Sequence, residues 1–129
     1  MLDIKAVGFI MGIGLLFFIQ GSATLPSDAQ VIDFGQTVTG SAPGAYYKVD
    51  VPSPGTLSVI LEEVPPDMLT RIAIINDAGT WLASQDTSTP GETITVRAQA
   101  DAPGWYWIGI LDLNGKTHDT DYAFQVALG

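Results

Sequence analysis

The stretch Ala102-Pro103-Gly104-Trp105-Tyr106-Trp107-Ile108-Gly109-Ile110-Leu111-Asp112 decides how the chain is read. A Pro-Gly turn launches the run Trp105 to Leu111, and Asp112 with Asn114-Gly115 closes it. The run is too short for a helix that buries itself, and it is rich in aromatic and β-branched residues. It predicts a strand in the middle of a sheet. Such a strand is either covered on both faces, or buried on one and meant for a partner on the other.

The neighbouring segments repeat the theme. Val31–Phe34 and Gln36–Thr39 are short, and Gly35 and Gly40 punctuate them. Ala45–Val51 follows Pro43-Gly44. Thr56–Val64 sets Leu57, Val59 and Leu61 on one face, and Pro65-Pro66 stops it. Leu69–Ile75 turns through Asn76-Asp77-Ala78-Gly79 into Thr80–Ser84. Glu92–Ala98 alternates, and Tyr122–Leu128 puts Tyr122, Phe124, Val126 and Leu128 on one face. The spacing predicts about eight strands, one every 8–12 residues or so. The expected fold class is all-β: an eight-stranded antiparallel β-sandwich, jelly-roll-like, over residues 31–129.

Residues 1–25 differ from everything after them. Ala6 to Ile19 carries no charge, behind a polar start that includes Lys5. A secretory signal peptide would be cut after small residues, and Gly21 and Ala23 fit with cleavage before Thr24. A transmembrane helix needs about 20 residues, which Ile4 to Ala23 supplies if Lys5 snorkels. We expect the retained anchor, with cleavage as the alternative. Lys5 would keep the N-terminus cytoplasmic and send the rest to the periplasmic or extracellular side. Gly8 and Gly12 form a small-xxx-small pair that lets another helix approach closely. Residues 26–30 read as a linker, and Pro26 ends the helix.

Composition excludes several classes of function. Net charge is −9, from 14 acidic and 5 basic residues, so the basic patch that nucleic-acid binding requires is missing. With no cysteine, disulfides, thiolate catalysis and cysteine metal sites are ruled out. The single His118 sits in a polar loop, Gly115-Lys116-Thr117-His118-Asp119, and reads as solvent-exposed with no nucleophile motif beside it. Glu62 and Glu63 are adjacent, so on a strand they point to opposite faces. Asp119 and Asp121, with Asp112 or Asn114, are the one grouping that suggests calcium, yet they are also ordinary turn formers. No catalytic residue, cofactor site or metal site is assigned.

From about Ile32 to Leu128 the order of pieces resembles the bacterial pre-peptidase C-terminal domain. The family's opening G-x-V-x-G is similar to Gly35-Gln36-Thr37-Val38-Thr39-Gly40. Its Y-x-V-x-V-P-x-x-G-x-L-x-V-x-L resembles Tyr47 through Leu61, with Pro52 and Gly55 in place. Its middle segment is echoed by Ile72 through Ser84, its G-x-Y-Y-I-x-V by Gly104–Ile110, and its last strand by Asp121–Val126. The resemblance implies a small β-sandwich of the kind appended to secreted proteins. Family members commonly carry acidic residues just before the second-strand Tyr, and some members bind calcium. Here that position reads Ala42-Pro43-Gly44-Ala45-Tyr46, so the calcium site does not carry over. If Tyr106, Ile108 and Ile110 face the core as in the family, Trp105, Trp107 and Gly109 face away from it.

The tryptophans are the functional signal, since exposed aromatic faces anchor protein interfaces and stack on sugars. Trp105, Trp107 and Trp81 are the candidate partner-binding residues, and Gly8 and Gly12 the candidate helix-packing ones. The expected function is a non-catalytic, membrane-anchored accessory subunit of a larger assembly, for which a photosynthetic or respiratory complex would be a natural host. Its expected partners are integral membrane protein subunits and the lipid bilayer. The alternative is a glycan- or polymer-binding module.

Overall fold

The computed structural model describes residues 25–129. The expected anchor, with Gly8 and Gly12, lies outside the described residues. The strands are β1 (Gln30–Val31), β2 (Val38–Gly40), β3 (Gly44–Val51), β4 (Gly55–Glu63), β5 (Thr70–Asn76), β6 (Trp81–Asp86), β7 (Thr95–Ala100), β8 (Gly104–Asp112) and β9 (Tyr122–Leu128). None of the described residues is helical. Two sheets form, in the orders β1-β3-β8-β5-β6 and β2-β9-β4-β7.

The aromatic run is β8, and it takes the central place of the five-stranded sheet, antiparallel to β3 and β5. Alternation then decides the core. Tyr47, Val49 and Val51 of β3, Ile72 and Ile74 of β5, and Tyr106, Ile108 and Ile110 of β8 point inward. They meet Leu57, Val59 and Leu61 of β4, Val96, Ala98 and Ala100 of β7, and Tyr122, Phe124 and Val126 of β9. This is a β-sandwich whose inner faces supply one continuous core.

Three details differ from the expectation. The count is nine strands among the described residues, because the short N-terminal pieces each pair. The sheets are not wholly antiparallel: β1 runs parallel to β3, with Gln30 opposite Tyr47 and Val31 opposite Lys48. Parallel pairing is open to β1 because the chain crosses to the other sheet before returning. The strand expected from Glu92 begins only at Thr95. Glu92 is used in a turn instead, its carboxylate accepting from the amides of Ser88 and Thr89, while the Gly91 amide donates to the Met68 carbonyl.

One polar contact ties the sheets together inside the core. The hydroxyls of Tyr47 and Tyr122 lie 2.6 Å apart, and Tyr47 meets Phe124 edge-on at 4.8 Å between ring centroids. Burial raises the pKa of both phenols above the ordinary range, so each stays a neutral hydrogen-bonding group. Gly40 closes over this pair. A Cβ there would fall 2.5 Å from the Tyr122 hydroxyl and closer still to that of Tyr47.

Two substitutions probe this core in opposite directions. Gly40→Ala should lower stability by about 1–3 kcal/mol, because the methyl must displace buried rings that have nowhere to go. Thr70 is fully buried and its hydroxyl has no partner among the described residues. Thr70→Val should therefore leave stability unchanged or raise it by up to about 1 kcal/mol. Urea unfolding of both variants reads the two effects.

Candidate functional site

The outer face of the five-stranded sheet carries a second apolar cluster, separate from the core. Ala73, Ile75 and Trp107 are buried in it, and Leu25, Ala29, Tyr46, Trp81 and Trp105 pack around them, partly exposed. Strand register explains the gathering. Trp107 of β8 lies between Lys48 of β3 and Ile75 of β5, and Ile75 faces Trp81 of β6. One row therefore runs Lys48, Trp107, Ile75, Trp81 across four strands. Trp105 stands one pleat along, opposite Asp50, and Tyr46 stands one pleat back, opposite Gly109.

The face is not bare. Residues 25–29 cross it as a strap before the chain enters β1. The indole Nε1 of Trp107 donates to the Pro26 carbonyl at 3.2 Å, and Lys48 Nζ donates to the Ser27 carbonyl at 3.1 Å. The Lys48 ammonium also lies 5.0 Å from the Trp105 ring centroid and 5.8 Å from that of Trp107. A cation over two indole faces adds electrostatic attraction to the apolar burial. Trp107 is consequently only 7% exposed. Burial also raises the pKa of the Tyr46 phenol above the ordinary range.

The expected division of β8 is thus observed: Tyr106, Ile108 and Ile110 face the core, while Trp105 and Trp107 face outward. Trp81 lies on the edge strand β6 of the same sheet, and its ring joins the same cluster. All three candidate tryptophans are brought together. Of the three, Trp107 is held beneath the strap, and Trp105 and Trp81 are left partly open to an incoming surface. No motif in the sequence marks Lys48, Tyr46 or residues 25–29 for this site. The signal for Lys48 was its alternation with the inward Tyr47 and Val49, which puts it on the tryptophan side.

The acidic candidates disperse. His118 is a correction: the imidazole is largely buried and contacts the Asp112 carboxylate through Nε2, at the end of the central strand. The other Asp112 oxygen accepts from the Asn114 amide at 2.6 Å, so this carboxylate anchors the β8–β9 loop from within. Asp121 accepts from the Ser41 hydroxyl at 2.9 Å. That serine hydroxyl therefore points to a carboxylate and not to the imidazole, and no nucleophile–base pair is assembled there. Glu62 accepts from the Gln125 amide, beside a register shift that spans Leu61 to Glu63. Among the described residues, no three His, Asp or Glu side chains gather in a metal-holding group.

No family model matches this chain, and no curated protein matches it. Solved structures do. The pre-peptidase C-terminal domain of a collagenase from Bacillus anthracis aligns with a TM-score of 0.59 at 16% identity, over 81% of this chain and 99% of that one. A β-glucosidase from Paenibacillus barengoltzii aligns with a TM-score of 0.38 at 16% identity, over 82% of this chain and 12% of that one. The first likeness shows a shared fold. The sandwich is like that of the pre-peptidase C-terminal domain, as the motif order implied.

Two tests separate the apolar and polar halves of this face. Trp107→Phe keeps a buried ring but removes the indole donor, so it should cost about 1 kcal/mol and speed amide exchange at Ala29 within the strap. The polar half is Arg71 and Asp86, whose bidentate bridge spans 2.8 and 2.9 Å. The hydrogen bond from Arg71 holds the Asp86 carboxyl below its ordinary 3.8. Its contribution is therefore present above that pH and lost as pH falls through the lowered value. Both side chains are more than a third exposed, so solvent limits the contribution to under about 1 kcal/mol. The stability difference between wild type and Arg71→Ala should shrink to nothing by strongly acidic pH.

Proposed function

We propose that this chain is a non-catalytic, membrane-anchored accessory subunit of a larger membrane assembly, with its sandwich on the periplasmic or extracellular side. The observation that carries the reading is the strap. The segment that follows the uncharged run Ala6–Ile19 is bonded to Trp107 and Lys48, so whatever holds the N-terminal residues also holds the sandwich. A domain fastened in this way is a positioning device more than a free binder. In this reading Gly8 and Gly12 seat a partner helix, and the aromatic face is presented toward the membrane and the subunits in it.

A second reading has its own support. Trp105 and Trp81 remain partly open on one sheet face, and flat aromatic surfaces stack on sugar rings. A glycan- or polymer-binding module, secreted or anchored, would use them.

Purification in mild detergent, with intact mass and identification of what co-elutes, separates the two. The accessory subunit begins at Met1 and travels with integral membrane proteins. Gly12→Leu should then reduce the recovery of those proteins severalfold while leaving binding to polysaccharide unchanged. A chain that begins at Thr24 and runs alone would sink the accessory-subunit reading in favour of the glycan module.

A further inference from the structure

The chain holds three tryptophans, and all of them, Trp81, Trp105 and Trp107, stand on one outer sheet face. Residues 1–24 contain none. The same face receives the strap, and beside the strap Val31 lies in register with Lys48 and is 55% exposed. This puts indoles, a tyrosine, an ammonium and open aliphatic surface on one side of the molecule. Tryptophan and tyrosine with lysine are the side chains that favour the headgroup layer, where an apolar body meets a polar tip.

Building on the anchor reading, we infer that this face is the one the sandwich lays against the bilayer, in contact with zwitterionic phospholipid headgroups. The length of the tether excludes the opposite orientation, and the aromatic side chains favour this face over the edges. From Ile19, the end of the uncharged run, to Leu25 in the aromatic cluster the fully extended chain reaches at most about 22 Å. Two sheets about 10 Å apart, with side chains on both outer faces, make a sandwich roughly 20 Å thick. Trp107 stands on the central strand, so leaving the face sideways adds two interstrand steps, about 10 Å more. A tether this short cannot pass round the flank and leave the opposite sheet against the membrane. The charge then selects the lipid. At net −9, with Asp28 and Asp50 exposed beside the strap and Trp105, the domain is repelled by an anionic surface and tolerated by a zwitterionic one.

The test uses the full chain in phosphatidylcholine vesicles, a fraction of whose lipids carry a nitroxide on the headgroup. Wild-type tryptophan emission reads the proposed face directly, because no tryptophan stands elsewhere. The chain has no cysteine, so Gln99→Cys places a single dye on the exposed side of β7 in the opposite sheet. The expected result is loss of most tryptophan emission in nitroxide vesicles relative to unlabelled ones, with the Gln99→Cys dye unaffected. A chain that floats with the vesicles while its tryptophans stay bright overturns this orientation and leaves the anchor standing. Equal quenching of both probes overturns it as well. A chain that fails to float overturns the anchor, and the orientation with it.

Discussion

Strand β8 is buried on both faces from Tyr106 to Asp112, and the rest of the molecule is arranged to cover it. On one side Tyr106, Ile108 and Ile110 enter the sandwich core. On the other, Trp107 needs shelter for a large ring and a partner for its indole nitrogen, and the sheet's own side chains flank the ring but leave its outer side to the strap. Residues 25–29 supply both, as apolar contact from Leu25 and Ala29 and as the Pro26 carbonyl. A tryptophan on an outer sheet face thus converts an otherwise loose connection into part of the fold. The connection enters β1 and pairs parallel with β3, so strap and edge strand are fastened together.

The core makes the complementary choice. Its buried hydroxyls at Tyr47 and Tyr122 satisfy each other across the two sheets, which removes the penalty each would carry alone. Gly40 leaves room for that contact by having no side chain where one would intrude. At the far end of β8 the buried Asp112 carboxylate performs a similar task, taking the Asn114 amide and the His118 imidazole. The histidine thus shares in fixing a loop, in a position where a reactive group would need an open approach.

The central strand and the inward sets of β4 and β9 are legible from alternation, because side-chain direction on a strand follows parity. The outward turn of Trp105 and Trp107 follows once the family pattern puts Tyr106, Ile108 and Ile110 inward. The motif order implied the sandwich that the collagenase domain shares. What escaped depends on contacts between residues far apart in the chain. Pro26 and Trp107 are 81 positions apart, and nothing local in Leu25–Ala29 marks it as a cover. His118 looked exposed because its neighbours are polar, and its burial comes from Asp112 on another element. Glu92 was assigned to a strand by its alternating neighbours, yet its carboxylate caps the turn before them.

The way the strap is held bears on what it can do. Both of its side-chain bonds end on main-chain carbonyls, those of Pro26 and Ser27, and both donors belong to the sheet. The face therefore grips backbone, and little in the side chains of Ser27 or Asp28 is needed for the grip. Lys48 lends its charge to two indoles and its hydrogen bond to the strap, so the ammonium couples the aromatic surface to the segment crossing it. A pull on the N-terminal side is then borne by β3 and β8, the paired strands at the middle of the sheet, and not by an edge that can fray. That is the arrangement a domain needs if it is to hold a fixed posture at the end of a short tether.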